Sequence, residues 1–448
     1  MSDESILPFL SQFDPPEKSE GTLDPLGLYS IADALAVRLA PGVRERQSNP
    51  RFLTLALVGM VVCGEDLTEL AESKQLPTWL VYEWLVVEAL VRSVLTKESE
   101  KTLLSGVPGR EKVLSALEHA EPVCKSTYLK TPSVFGFHGV YRTLGVKARL
   151  FDAEGQVLEL GYSVLHAWEM DQGLQGFVAG TGTGGELRRK LNSCVKSCIG
   201  SAQSKDVGGA LRQQIVTHLS PRGSKARERK AIWAALTEHD ALRGEYARTL
   251  TSGEGQTAWL GAKDSEATFH RWLRPCVSPE MRQLLKAIDA YEILARLLTD
   301  AFDEVRHRMT WEKKPVSLEF LAKGDSVRRA SDQARAALAM AEQELGEIDP
   351  DLRGRAELAF NWIGEADSPV AFANQLLDRH RRVQNAKPPS PKLPWFDAYN
   401  DGRHAVRPAY LLQTFSSKPG EFVHAYRTHP IWSFASELGL LPANEVKS

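Results

Sequence analysis

The sequence predicts a mainly helical protein: a helical bundle with an embedded winged-helix-like segment, and a long helical hairpin or bundle in the C-terminal half. Three observations predict this class. Apolar residues recur at helical spacing in much of the chain. After Pro279, the stretches 279–309 and 326–345 contain no Pro or Gly that would end a helix. The segment 132–168 has the pattern of a β-hairpin between two helices.

Length, charge and cysteine content limit the class of protein. The 448 residues suffice for two or three domains, and the net charge of -2 means that any nucleic-acid surface must be a local patch. Five scattered cysteines argue against a disulfide framework and indicate a reducing compartment. The longest apolar stretch, 79–94, is interrupted by charges and too short to span a bilayer, and no signal peptide is recognisable. We therefore expect a cytoplasmic protein without a membrane partner.

The N-terminal part is predicted to be an acidic, disordered leader at residues 1–24, followed by a helical domain at 25–175. Helix patterns end at Pro41-Gly42 and continue at 51–62. A helix pair at 66–74 and 77–95 is a helix-turn-helix candidate, but its second helix is very apolar. That helix is expected to lie in the core rather than in a DNA groove.

The segment 132–168 carries the clearest indication of a partner. A short helix is followed by a basic turn, a hairpin pattern with Asp152 to Gly155 at its tip, and a new helix near Tyr162. This order is typical of a winged helix that reads the major groove of DNA. The predicted DNA contacts are Arg142, Lys147 and Arg149. Since winged helices also bind proteins, both partner classes stay open.

A basic helical region is predicted at 176–275. Between residues 181 and 230 there are eleven Lys and Arg against three Asp and Glu, a local excess of positive charge. Such an excess favours a polyanionic partner, and the alternative is a solvated helical face. The candidate DNA-binding residues here are Arg188, Arg189, Lys190, Arg222, Lys225, Arg227, Arg229 and Lys230.

No cofactor is predicted. Gly180 to Gly185 matches the spacing GxGxxG, but no convincing strand precedes it, so a flexible loop or turn is favoured over a dinucleotide site. No phosphate-binding GxxxxGK[ST] sequence occurs. Cys194 and Cys198 form the only close cysteine pair, and no second pair completes a zinc site.

A long-helix bundle is predicted at 276–386, and a Pro-rich linker at 385–394 leads to an aromatic, basic C-terminal cap at 387–448. The aromatic residues favour docking on the rest of the fold. The basic residues Arg403, Arg407 and Arg427 are further candidates for phosphate contact. The cap also holds three histidines that a nuclease would need, His404, His424 and His429. Asp397, Asp401, His404 and His429 could bind a metal ion, but their spacing matches no motif with a known mechanism.

Three short stretches carry a resemblance. They contain Leu39, Pro41, Gly42, Arg51, Phe52 and Leu53, the segment Phe135 to Arg149, and Tyr426-Arg427. These stretches resemble poorly characterised bacterial proteins encoded beside helicases and methyltransferases in anti-phage defence islands, although Asn49-Pro50 departs from the family pattern. The resemblance implies a role in defence, contains no catalytic motif and supplies no mechanism.

We therefore expect a non-enzymatic subunit of a bacterial anti-phage defence system. It would contact double-stranded DNA through the winged helix and basic patches, and recruit a motor or effector such as a helicase or ATPase through its long helices. One alternative is a kleisin-like or scaffold protein that binds an ATPase partner. The other is a divergent metal-dependent nuclease centred on the C-terminal histidines.

Overall fold

The computed structural model describes residues 24–64, 67–95, 104, 106–388 and 392–441. The predicted leader therefore lies outside the described residues except for Asp24. Within these ranges the chain has 21 α-helices and one two-stranded sheet, which confirms the prediction of a mainly helical protein. Its contacts form two compact units. Among the described residues, the first unit comprises 24–39 together with Gly253–Tyr426, and the second unit comprises Ala40–Ser252 and 427–441.

The elements follow in chain order. The first unit begins with α1 (Tyr29–Leu39). The second unit contributes α2 (Phe52–Cys63), α3 (Thr68–Ser73), α4 (Thr78–Val94), α5 (Arg110–Glu118), α6 (Pro132–Phe135), α7 (Phe137–Lys147), α8 (Glu159–Gln172), α9 (Gly182–Ser201), α10 (Gly208–Leu219), α11 (Ala226–Thr237) and α12 (Ala241–Thr251). The first unit resumes with α13 (Gly253–Gly261), α14 (Glu266–Leu273), α15 (Pro279–Glu312), α16 (Leu318–Leu321), α17 (Asp325–Ile348), α18 (Pro350–Phe360), α19 (Trp362–Glu365), α20 (Pro369–Asn385), β1 (Phe396–Ala398) and β2 (His404–Val406). The second unit ends with α21 (Thr428–Glu437).

The core of the second unit is built around α2 and α4. Helix α2 is apolar on all sides and packs against α4, α7, α8 and α9, as expected of a helix without a polar face. Gly59 in α2 allows the ring of Tyr82 in α4 to approach, because a Cβ there would lie 2.6 Å from the ring. Helix α4 is buried along most of its length, which confirms the expectation that it belongs to the core.

The winged-helix-like segment keeps its predicted helices but not its strands. Helices α6 and α7 precede the turn and α8 follows it, while a single antiparallel bridge, Phe151 to Val157, replaces the predicted hairpin. The Asp152 carboxylate closes the turn by accepting from the amides of Glu154 (3.0 Å) and Gln156 (2.8 Å). Helix α8 begins at Glu159, so no residues remain to extend a ladder. The pairing across the predicted turn is therefore limited to this one bridge, and the segment consists of helices joined by a tight turn rather than by two regular strands.

Two of the stretches that carry the resemblance pack against each other. Gly42 has a φ of +81° and lies on α7, where a Cβ would be 2.8 Å from the Cα of Leu144. The Tyr141 hydroxyl accepts hydrogen bonds from the amides of Ser48 (3.1 Å) and Asn49 (2.9 Å). The ring of Phe52 stacks on Phe137 with centroids 5.6 Å apart. These residues therefore hold α2 against α7, which is a structural role.

The first unit is organised by its two long helices. Helices α15 and α17 pack side by side, and α18 and α20 cover α17. The two breaker-free stretches of the sequence, 279–309 and 326–345, are helical in these two elements, as predicted. Small buried residues on α17, among them Ala330, Ala334 and Ala341, allow the helices to approach closely.

The C-terminal aromatic segment docks on the first unit. Strands β1 and β2 pair antiparallel with Phe396 opposite Val406. The following chain lies along α15, where Arg306 donates to the carbonyl of Tyr410 (3.0 Å) and Arg296 to that of Phe422 (2.8 Å). Aromatic contacts add to this packing, because Trp395 lies 5.8 Å from Phe302 of α15 and stacks on Tyr410 with centroids 4.9 Å apart.

Candidate nucleic-acid interface

Two basic runs of the second unit, separated in sequence, meet at one loop. This loop, 171–181, comprises the last two residues of α8 and the segment that connects α8 to α9. From α9, Arg188 donates to the carbonyl of residue 178 (2.7 Å) and Arg189 to that of residue 180 (2.9 Å). From the start of α11, Lys225 donates to the carbonyl of Asp171 (2.8 Å) and Arg227 contacts its carboxylate (3.4 Å). We call Arg188, Arg189, Lys225 and Arg227 the basic loop cluster.

The glycines of this region explain why α9 starts where it does. Gly173 ends α8 with a φ of +68°, and α9 begins at Gly182. A Cβ on Gly184 would collide with the carbonyl of Leu174, and one on Gly185 with the backbone of Gly180. The glycines thus let the first turn of α9 pack on the loop. No strand precedes α9 between residues 106 and 181, so the context of a dinucleotide fold is missing there.

A buried carboxylate fixes the second half of the cluster. The side chain of Asp171 is 6% exposed and accepts from the amide of Glu228 in the first turn of α11 (2.9 Å). The side chain of Arg227 is 65% exposed, so its charge stays at the surface. Carboxylates are favourable at helix N-termini, which stabilises this start of α11.

Beneath the cluster lies a buried ion pair. Arg51 Nε is 2.9 Å from Glu228 Oε1, and the two side chains are 1% and 0% exposed. Burial raises the pKa of the Glu228 carboxyl, while the charge of Arg51 opposes this shift. Arg51 also donates to the carbonyls of His218 (3.0 Å) and Ser220. It therefore fastens the turn before α11 to α2. Arg51 is one of the residues that carry the resemblance, but the sequence alone did not predict its ion-pair partner, Glu228.

A groove of about 450 Å³ opens beside the turn at 152–157. Its lining includes two of the predicted DNA-binding residues, Arg142 and Arg188, and the aromatic side chains of Trp79, Tyr82 and His138. The rings of Trp79 and His138 stack with centroids 4.7 Å apart and 13° between planes. Burial, helped by the charge of Arg142, lowers the pKa of His138 to about 4, so this imidazole is neutral near pH 7.

Below the groove, Glu83 positions the start of α7. Its carboxylate accepts from the hydroxyl of Tyr128 (2.7 Å) and the amide of His138 (2.9 Å). Burial raises the pKa of Glu83 to about 7 although these hydrogen bonds oppose the shift. Gly136 is required here, since a Cβ would collide with this carboxylate. The sequence analysis did not identify Glu83 as a positioning residue, although a carboxylate inside an apolar stretch would have indicated a buried polar partner.

The other predicted residues of the second unit lie mainly at its surface. Lys147 at the end of α7 and Arg149 just before the turn are exposed, and Arg149 has a φ of +55°. Arg229 is half-buried, with its Nε 3.1 Å from the hydroxyl of Ser224. The exposed positions that flank the basic loop cluster are Lys190, Arg222 and Lys230.

The C-terminal candidates do not join this cluster. Arg403 and Arg407 lie in the first unit and pair with Asp401 (2.6 Å) and Asp397 (2.7 Å). Arg427 is 2% exposed, and its guanidinium contacts Glu45 at 3.2 Å. Because Arg427 is enclosed by protein and paired, it does not present its charge at the surface, which corrects its selection as a phosphate contact.

The three histidines take separate structural positions. His404 is buried in β2, and His424 in the first unit pairs with Glu292 (2.7 Å). His429 is exposed at the start of α21 in the second unit. In the described part of the chain, no group of three or more His, Cys, Asp or Glu side chains is arranged to hold a metal ion, Cys194 and Cys198 included.

Comparisons with protein-family models, curated proteins and solved structures found no match for this chain. Over the described ranges, no helix combines the length and apolarity needed to cross a membrane.

Proposed function

We propose that this protein is a non-enzymatic nucleic-acid-binding subunit that holds double-stranded DNA through the basic loop cluster and the exposed basic residues around it. The observation that carries the proposal is the meeting of two distant basic runs at the loop 171–181. Arg188 and Arg189 approach it from α9, and Lys225 and Arg227 from α11. Cations gathered in this way form a patch that the net charge of the chain conceals.

The patch is suited to phosphate groups rather than to base edges. Lys and Arg contacts to phosphates supply most of the sequence-independent affinity for DNA. The N-terminus of α9 lies at this loop, and the positive end of a helix favours an anion, whereas the N-terminus of α11 is already paired with the carboxylate of Asp171. The turn at 152–157, by contrast, carries Asp152 and Glu154. We therefore propose backbone contacts, with Lys147 and Arg149 beside the turn as additional phosphate ligands.

The proposed biological setting rests on the resemblance to defence-island proteins. In that setting the DNA-binding unit would work with a motor or effector subunit such as a helicase or ATPase. The long helices α15 and α17 of the first unit are the proposed site for that partner. No residue of the proposed DNA surface belongs to them.

The first test compares DNA binding by matched charge variants. Fluorescence anisotropy with a labelled duplex at low salt is measured for Arg189→Gln combined with Lys225→Gln. The control, Lys286→Gln combined with Lys323→Gln, makes the same change of charge at exposed positions of the first unit. The cluster variant is expected to lose affinity while the control binds like the wild type. Equal binding by both variants would refute the proposed surface.

A second candidate function is that of a scaffold for an ATPase partner. It is favoured by exposed apolar side chains on the first unit, namely Ile293, Trp311, Met340 and Leu358. Co-purification of the tagged chain from nuclease-treated lysate tests it, with Met340→Lys and Leu358→Lys as the disrupting changes. A partner that is retained without DNA and lost in this variant, together with absent DNA binding, would favour the scaffold.

A further inference from the structure

The groove beside the turn at 152–157 has the size of a small-ligand site. Its volume of about 450 Å³ lies within the range of roughly 300 to 1,000 Å³ that such sites occupy. It is lined from α2, α4, α7, the turn and the start of α9, all in the second unit. The structural elements on its walls are therefore held by the same core.

One wall of the groove is an aromatic platform. Trp79 and His138 are half-buried and stack nearly parallel, 4.7 Å apart. Their faces and edges offer the flat, polarisable surface on which a nucleobase stacks, and such stacking does not depend on the base. The neutral state of His138 avoids placing a charge in this wall.

Tyr82, one of the lining residues, carries a buried hydroxyl that has no hydrogen-bond partner among the described residues. The Tyr82 side chain is 1% exposed, and its hydroxyl makes no hydrogen bond to the described residues. Leaving a buried polar group unpaired costs free energy, so such groups in native proteins require an explanation. A ligand with polar atoms on a flat ring would provide the missing partner.

The mouth of the groove is cationic. Arg142 and Arg188 both line it, against one lining carboxylate, that of Glu154 on the turn, whose side chain is exposed. Arg188 uses one donor on the carbonyl of Val178, and a guanidinium carries five N–H donors in a fork that fits a phosphate. Arg188 also belongs to the basic loop cluster, so the groove is continuous with the proposed DNA surface.

We infer that the groove binds a single unstacked nucleotide at the end of a DNA strand. The base lies against Trp79 and His138 and reaches the Tyr82 hydroxyl, while its phosphate is held between Arg142 and Arg188. The inference rests on the proposed function, because it places one nucleotide of the bound DNA beside the phosphate-binding surface.

The experiment uses three labelled duplexes of one length with the full chain. One duplex is blunt, one has a one-nucleotide abasic overhang, and one has a one-nucleotide adenine overhang. The abasic overhang supplies the extra phosphate without the base. Stacking of one base is expected to give the adenine overhang an affinity at least about fivefold above the abasic overhang.

Three variants separate the contacts, and a fourth serves as the control. Tyr82→Phe removes only the hydroxyl, which has no partner in the described residues, so the fold is retained and the adenine preference falls roughly 2- to 10-fold. Trp79→Leu is expected to abolish the preference. Arg188→Gln is expected to weaken both overhangs relative to the blunt duplex, whereas Lys196→Gln, an exposed change on the same helix outside the lining, leaves the ratios unchanged.

The outcomes are distinguishable from those of the proposed function. Equal affinity for the adenine and abasic overhangs overturns the inference, and so does an undiminished preference in both Tyr82→Phe and Trp79→Leu. If blunt duplex still binds in a salt-sensitive way, the proposed DNA surface stands without the groove. If no duplex binds at low salt, the proposed function fails as well.

Discussion

The substitution Glu228→Gln tests how much the buried ion pair of Arg51 and Glu228, which lies beneath the basic loop cluster, contributes to stability. Glu228→Gln preserves the shape of the side chain but leaves the charge of Arg51 in a site that is 1% exposed. Removing one partner of a buried pair costs about 3 to 5 kcal/mol, since the other charge stays buried without compensation. Arg51 keeps its carbonyl partners at His218 and Ser220, so we expect the lower end, about 3 kcal/mol.

The assay is urea unfolding of the full chain followed by far-ultraviolet circular dichroism. Glu186→Gln is the control, because it makes the same change on the exposed surface of α9 and is expected to cost less than about 0.5 kcal/mol. The double replacement Arg51→Met with Glu228→Leu is expected to recover much of the loss, because apolar groups tolerate burial. If Glu228→Gln and the control have the same free energy of unfolding, the buried pair does not stabilise the fold, and the reasoning is refuted.

Three further changes are predicted. Gly42→Ala is expected to cost about 1 to 3 kcal/mol in urea unfolding, because the φ of +81° and the backbone of α7 both oppose a Cβ, and an unchanged midpoint would argue against this packing. Arg427→Gln is expected to lower the free energy of unfolding by about 1 to 3 kcal/mol, because it removes the ion pair with Glu45. The salt dependence of DNA binding is expected to stay the same, and a less steep dependence in this variant would show that Arg427 contacts phosphate. Burial alone would lower the pKa of His424, but the carboxylate of Glu292 outweighs this effect, and the net result is a pKa above 6.5. The ion pair between His424 and Glu292 therefore stabilises the fold below pH 6.5, and this stabilisation is lost as the pH rises through the raised pKa. Unfolding midpoints from about pH 6 to about pH 9 should therefore fall more steeply in the wild type than in His424→Gln, and parallel curves would contradict the pairing.

Local sequence signals predicted the helices well. The absence of breakers predicted α15 and α17, and the apolar character of α4 predicted its burial. The sequence predicted two strands in the wing because apolar and polar residues alternate there, but the same alternation arises where single apolar residues of a turn are buried. Phe151 is 1% exposed in a turn, and α8 begins two residues after Val157.

The interface was predicted only in part, because its geometry depends on tertiary contacts. The excess of positive charge at 181–230 was visible in the sequence. The position of Lys225 at Asp171, however, depends on a contact between residues more than fifty positions apart. Arg427 was selected for its charge, yet its partner Glu45 is distant in sequence and the pair is enclosed. The groove was not recognised, since Trp79 was assigned to an apolar core helix.

The division into units also exceeds what the sequence offers. Five consecutive segments were predicted from composition, and their boundaries remain predictions. Each compact unit combines separated stretches, so that the chain from Arg427 belongs with Ala40–Ser252. Such pairings follow from contacts between distant residues, which composition and periodicity do not encode.

The central claim is that the second unit binds DNA through phosphate contacts, and the salt dependence of duplex binding tests it most directly. Anisotropy of the wild-type chain with a blunt labelled duplex is measured from low to physiological salt. The four cations of the basic loop cluster predict a log-linear decrease of affinity with salt, with a slope of about −3.6, and each further phosphate contact by a flanking basic residue makes the slope steeper by about 0.9. Absence of binding at the lowest salt, or affinity that does not change with salt, would contradict the claim.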